Sequence, residues 1–301
     1  MEELKTGLIT KATGGFYYVA CGGREYECRA RGLFRKTGIS PLVGDAVKIE
    51  VTGEKEGYVV EILPRKNSLV RPPLANVNTF VIVVSIKDPA PNLLVIDKMM
   101  AIACHKGMTP MVIVTKTDLG DPSEVEEIYR KVGIEVHTAS ICSDGWVETV
   151  RNALSHGISA FSGNSGVGKS SLLNKIDSRL AIATGETSQK LGRGKHTTRH
   201  VQLYPIGDGY IADTPGFSAV ELERYEIIFK EELEDCFPEF KKYLGKCQFT
   251  GCSHTVEKGC AVIQGVNQGE IPPSRHKSYC TMYEDAKKIK EWEVRKGQPD
   301  E

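Results

Sequence analysis

Three short segments carry residue types and spacings suited to holding a nucleoside triphosphate. Gly163-Asn164-Ser165-Gly166-Val167-Gly168-Lys169-Ser170 fits G-x-x-x-x-G-K-[ST] at every fixed position. Its glycines let successive backbone N–H groups converge on phosphates, and the helix that should start at Lys169-Ser170-Ser171 points its N-terminus at the same place. Lys169 would reach the β- and γ-phosphates, and the Ser170 hydroxyl would ligate magnesium. Downstream, Asp213-Thr214-Pro215-Gly216 places a carboxylate for magnesium and a Gly216 N–H for the γ-phosphate. Upstream, Thr115-Lys116-Thr117-Asp118 suits a base reader. Asp118 can accept from the N1–H and exocyclic amine of guanine, whereas adenine offers an acceptor at N1. Lys116 would lie over the base. Thr115 stands where Asn is usual, which predicts the loss of an amide cross-link to the phosphate loop. Ala139-Ser140 is the place for a backbone N–H to guanine O6.

The order of these segments is unusual. Most GTPases run phosphate loop, sensor, base reader; here the base reader comes first. Between loop and sensor, residues 187–207 contain no acidic side chain and carry Lys190, Arg193, Lys195, His196, Arg199 and His200. This basic stretch has the position of a switch loop. Thr197 and Thr198 are the candidates to complete the magnesium sphere. Phe217 follows the sensor where many GTPases carry a water-orienting Gln. An apolar side chain cannot orient water, so intrinsic hydrolysis should be slow or depend on another group, for which His196 is the candidate. Lys169, Asp213 and His196 are the candidate catalytic residues.

A second chemistry lies near the C-terminus. Cys247, Cys252, His254 and Cys260 supply three thiolates and one imidazole within 14 residues. That is a complete tetrahedral set for one structural zinc, with no open position for catalysis. The spacing is not that of a groove-reading finger. The chain has nine cysteines, an odd number that fits a reducing compartment better than a disulfide framework.

The elements that must position these groups can be read from periodicity. The first 66 residues show short alternating apolar runs (Phe16–Val19, Ala46–Ile49, Tyr58–Val60) between turn signals, as in a small barrel or sandwich. From Thr79, continuous apolar runs rich in β-branched residues at 80–84 and 111–114 read as strands buried on both faces. They alternate with helical patterns near 92–105, 122–131 and 146–154, which indicates a parallel α/β sheet over 67–225. The motifs at 115, 163 and 213 each fall at a strand's carboxyl end, where ligands bind in such sheets. Residues 226–301 read as a mostly helical zinc-binding domain, with helices at 226–244 and 279–295.

Bulk properties narrow the function class. Over 301 residues, 39 basic and 39 acidic side chains balance, so no global charge marks a nucleic-acid partner. No apolar run is long enough to span a bilayer, and MEELKTG lacks a signal-peptide core. A cytoplasmic, membrane-free protein is expected.

Taken together, the chain resembles the YjeQ/RsgA family of circularly permuted GTPases. The resemblance rests on the motif order, on Arg71-Pro72-Pro73-Leu74-Ala75-Asn76-Val77, on Lys195-His196-Thr197-Thr198 and on the Cys/His cluster. It implies an N-terminal OB-fold, a central permuted GTPase and a C-terminal zinc domain. It also implies a role in late maturation of the small ribosomal subunit, with GTP hydrolysis to GDP stimulated by that subunit and rRNA as a partner. A monomer is expected. Arg24, Arg29, Arg31, Arg35 and Lys36 with Phe16, Tyr17, Tyr18 and Phe34 could give the barrel an RNA-binding face. Two other readings are an RNA-binding nucleotide sensor with negligible turnover, which Phe217 favours, and an ATPase.

Overall fold

The computed structural model describes residues 4–32, 34, 38–180, 201–213 and 226–289. Strands β1 (Leu4–Thr13), β2 (Phe16–Cys21), β3 (Arg24–Ala30), β4 (Ala46–Val51) and β5 (Glu56–Ile62) form the N-terminal unit. Pairing runs β1-β2-β3-β5-β4, and β4 returns to β1, so the sheet closes into a barrel. Five strands closed this way match an OB-type barrel. Alternation places Val19, Tyr26, Cys28, Val47, Ile49 and Val59 inside. Tyr17 and Phe34 also pack toward that core. Phe16 and Tyr18 lie on the other face, under Arg29 (4.7 Å) and Lys11 (5.4 Å) respectively.

A two-stranded ribbon, β6 (Ser68–Leu69) with β7 (Leu74–Ala75), then leads to the second unit. Its strands are β8 (Thr79–Ser85), β9 (Thr109–Thr115), β10 (Glu135–Thr138), β11 (Ile158–Ser162), β12 (Gln202–Ile206) and β13 (Gly209–Asp213). The order is β10-β9-β8-β11-β13-β12, parallel except for the β12–β13 hairpin. Phe80–Ser85, Pro110–Thr115 and all of β11 are buried, because helices cover both faces. Those helices are α1 (Leu93–His105), α2 (Ser123–Lys131), α3 (Val147–Ala153) and α4 (Lys169–Ile176). Asn92 caps α1, its side chain accepting from Val95 N–H. Lys11 of β1 pairs with Gln202 of β12, so barrel and α/β sheet form one hydrogen-bonded sheet.

The C-terminal unit differs from the sequence reading. Residues 226–244 do not form a helix; they run as irregular chain with short 3₁₀ turns at Glu234–Cys236 and Pro238–Phe240. Pro238 lacks the N–H a continuous helix would need. The tighter turns instead bury Phe237 and Phe240 together against Tyr279, with ring centroids 5.2 and 4.8 Å from it. The last helix also begins earlier than expected. α5 (Ala261–Asn267) is followed by α6 (Pro273–Ala286), which starts at a proline in the first helical position and not at 279. Among the described residues, no helix is long and apolar enough to cross a membrane.

Candidate functional site

β9, β11 and β13 lie side by side with β8, all pointing the same way, and their carboxyl ends carry the three motifs. Thr115 ends β9, Gly163 follows β11, and Asp213 ends β13. The phosphate loop turns through Gly166 and Gly168, at φ 82° and 88°, backbone that favours glycine. A Cβ on Gly163 would sit 2.5 Å from Val83 O, so the loop can lie this close to β8 only with glycine there. Asn164, Ser165 and Gly166 are exposed, while Val167 anchors the loop in the core. Lys169 and Ser170 open α4, with Ser171 behind them, so the helix N-terminus faces the loop.

Thr115 corrects one expectation. Its hydroxyl is buried and lies 2.5 Å from Val167 O of the phosphate loop and 3.0 Å from Val84 O of β8. The cross-link expected to be lost with Asn is thus made by an alcohol. Beside it lies a cleft of about 270 Å³ lined by Thr115, Lys116, Asp118, Ala139, Ser140 and Gly168, among others. Asp118 is exposed there, and its Oδ1 accepts from Ser140 Oγ at 2.7 Å. Lys116 takes a left-handed backbone (φ 56°) and its ammonium donates to Asp88 O. The Ala139 N–H donates to Val114 O at 2.8 Å, so of the pair Ala139-Ser140 the Ala139 N–H is already engaged within the sheet. The Ser140–Asp118 contact escaped the sequence, because it depends on how two separate βα loops converge.

Thr197, Thr198, His196, Gly216 and Phe217 lie outside the described residues, as does the side chain of Asp213.

The Cys/His cluster is assembled. The ligand atoms of Cys247, Cys252, His254 and Cys260 all lie within 4.8 Å of one another. His254 Nδ1 is 3.5 Å from Cys247 Sγ and 3.4 Å from Cys260 Sγ, and the two sulfurs are 3.9 Å apart. Bonds of about 2.3 Å to sulfur and about 2.0 Å to nitrogen give tetrahedral edges of this size, so the residues fit zinc. Two carboxylates support the ligands, and neither was singled out in the sequence. Glu234 Oε2 is 2.9 Å from His254 Nε2, which fixes the proton on Nε2 and frees Nδ1 for metal. Glu257 accepts from the backbone N–H groups of Ser253, Thr255 and Val256 and from the Ser253 hydroxyl. Burial works against the charged form, but these donors prevail and hold its carboxyl at about 2.

A phosphate loop, a base-reading segment and a sensor strand on one sheet, with the base reader first in the chain, define a circularly permuted GTPase. Comparison with known proteins agrees. Residues 62–223 match the RsgA GTPase family model and residues 6–59 match the RsgA N-terminal domain. The small ribosomal subunit biogenesis GTPase RsgA of Caldanaerobacter subterraneus subsp. tengcongensis is 46% identical over 292 residues, covering 95% of this chain and 97% of that protein. Its counterpart in Geobacillus kaustophilus is 43% identical over 290 residues, covering 94% and 98%. Among solved structures, YloQ, described as a circularly permuted GTPase, superposes with a TM-score of 0.80 at 34% identity over 99% of this chain and 98% of its own. YjeQ from Thermotoga maritima gives 0.81 at 31% identity over 96% and 100%. The chain belongs to the RsgA family of GTPases.

Proposed function

We propose that this GTPase acts in maturation of the small ribosomal subunit, hydrolysing GTP to GDP and phosphate under stimulation by the subunit. The observation that carries the reading is the junction of base reader and phosphate loop through Thr115 and Val167, one buried contact that makes two distant motifs a single guanine-nucleotide pocket. Relatives of near-equal length bear the name of small-subunit biogenesis GTPases.

In this reading Asp118 selects guanine, the Ser140 N–H meets O6, and Lys116 covers the base. The phosphate-loop amides and Lys169 hold the phosphates. Magnesium bound with GTP would be held by Ser170, by Asp213 and by Thr197 or Thr198, and would neutralise charge that develops on the phosphates. Water attacks the γ-phosphorus, and the bond to the β-phosphate oxygen breaks. Phe217 cannot orient that water, so His196 or a group on the subunit does so. Zinc at Cys247, Cys252, His254 and Cys260 is structural. The stacked Phe16–Arg29 and Tyr18–Lys11 pairs on the barrel suit rRNA, which binds through cationic and aromatic surfaces. We place the protein in the cytoplasm, as a monomer, with domains at 1–66, 67–225 and 226–301.

Single-turnover GTP hydrolysis with and without purified small subunits tests the proposal. Groups supplied in trans accelerate P-loop GTPases by about 10³–10⁵, so a large rise is expected, and Lys169→Ala should abolish it. An unchanged rate in the presence of subunits would favour the nucleotide-sensor reading instead.

A further inference from the structure

The loop after β10 carries part of the base pocket yet has almost no core beneath it. Residues 141–145 are all exposed, Ile141 at 66%. Side chains from outside the loop hold it. Lys175 Nζ, on α4, donates to Ile141 O at 2.9 Å and to Ser143 O at 3.1 Å, and pairs with the Asp144 carboxylate. An ammonium has three N–H donors, and here all three are directed at one loop. Trp146 Nε1–H is shared between Ser140 O (2.9 Å) and Ser143 O (3.0 Å). The shape so imposed lets Ser140 Oγ accept from Cys142 N–H at 3.0 Å while donating to Asp118 Oδ1. A continuous chain therefore runs from the phosphate-loop helix through Lys175, the loop and Ser140 to Asp118.

We infer that Lys175 is a positioning residue for guanine selection, tying the base loop to the phosphate-loop helix so that Ser140 and Asp118 are held ready for the base. The inference rests on the proposed reading of Asp118 and Ser140 as base readers. A tie across an exposed loop adds little to global stability. It restricts the conformations the loop would otherwise lose on binding, which is how preorganisation raises affinity. It also makes the two halves of the pocket, distant in sequence, move as one.

The test uses the full zinc-loaded chain with Trp292→Phe, which leaves Trp146 as the only tryptophan. Lys175→Met keeps the aliphatic stem and removes the donors. GDP and inosine diphosphate, which lacks the exocyclic amine, are titrated alongside ADP. Lys175→Met should weaken GDP binding about tenfold and shrink the ratio of GDP to inosine diphosphate affinity. KM for GTP should rise in step while kcat at saturation changes less than about twofold, the pattern of lost uniform binding. Iodide should quench Trp146 more strongly, the melting temperature should hold, and Lys175→Arg should recover much of the affinity. Unchanged GDP affinity and an unchanged GDP to inosine diphosphate ratio in Lys175→Met would overturn the inference. So would an equal loss for GDP, inosine diphosphate and ADP with a lower melting temperature, which marks a structural role. A wild-type protein that fails to separate GDP from ADP would remove the base-reading proposal itself, and the inference with it.

Discussion

Thr115 illustrates what residue identity does and does not convey. An alcohol where an amide is usual suggested a missing bond, yet the hydroxyl reaches Val167 O because β9 ends fully buried against the phosphate loop. Thr115→Val should leave that carbonyl without its partner and weaken GTP and GDP binding, at a cost of about 1–3 kcal/mol. Thr115→Ser should retain most of the affinity in the same titration. Asp118 supports a sharper test, since an Asn amide donates where the carboxylate accepts. Asp118→Asn should weaken GTP by about tenfold to a hundredfold and improve xanthosine triphosphate, which carries a carbonyl in place of the amine. Equal affinity for GTP in variant and wild type would remove Asp118 from base recognition. That Thr115 and Asp118 line one cleft was legible, because their motif follows directly on an unbroken apolar strand. Glu234, Glu257 and the bond from the Ser140 hydroxyl to Asp118 were not, because their partners are reached through turns, and no local pattern announces a carboxylate aimed at an imidazole.

At the scale of elements, the buried strands were readable from uninterrupted apolar, mostly β-branched residues at 80–84 and 111–114, and the motifs located their ends. The barrel was readable as short strands, but its closure was not. Pairing of β1 with β4, and of β1 with β12, joins segments tens or hundreds of residues apart. Residues 226–244 misled because apolar residues at helical spacing also satisfy successive 3₁₀ turns around an aromatic cluster. Between Lys246 and Cys260 the chain has no helix or strand, and the four ligands with Glu257 organise it. The purified protein should therefore carry about one zinc per chain. Removing it with a chelator should lower the melting temperature and expose 246–260 to protease, while GDP binding is largely kept. Loss of zinc without any change in protease sensitivity would show that the loop stands by itself.

The whole molecule is held together across its units by buried polar contacts. Arg275 of α6 is fully buried and donates to Asp97 of α1 at 2.7 Å and to Glu239 at 2.7 and 3.2 Å. Tyr129 of α2 donates to the same Asp97 oxygen at 3.0 Å. Glu226 accepts from Val70 N–H of the ribbon and pairs with Lys106 after α1, so the chain beyond the sensor is tied back to the linker. Arg275→Met should strand two buried carboxylates and cost about 3–5 kcal/mol in urea unfolding of the zinc-loaded protein. Adding Asp97→Asn and Glu239→Gln should recover part of that loss. A single Arg275→Met variant as stable as wild type would show that the network contributes nothing at this junction. Because α1 follows β8, against which the phosphate loop packs, this network links the nucleotide pocket to the zinc unit. A GTPase that acts on the small subunit, as proposed, should engage it according to the nucleotide it holds. Co-sedimentation with small subunits in GDP and in a non-hydrolysable GTP analogue tests it most directly. The account predicts retention with the analogue and release with GDP; equal retention in both states would contradict it.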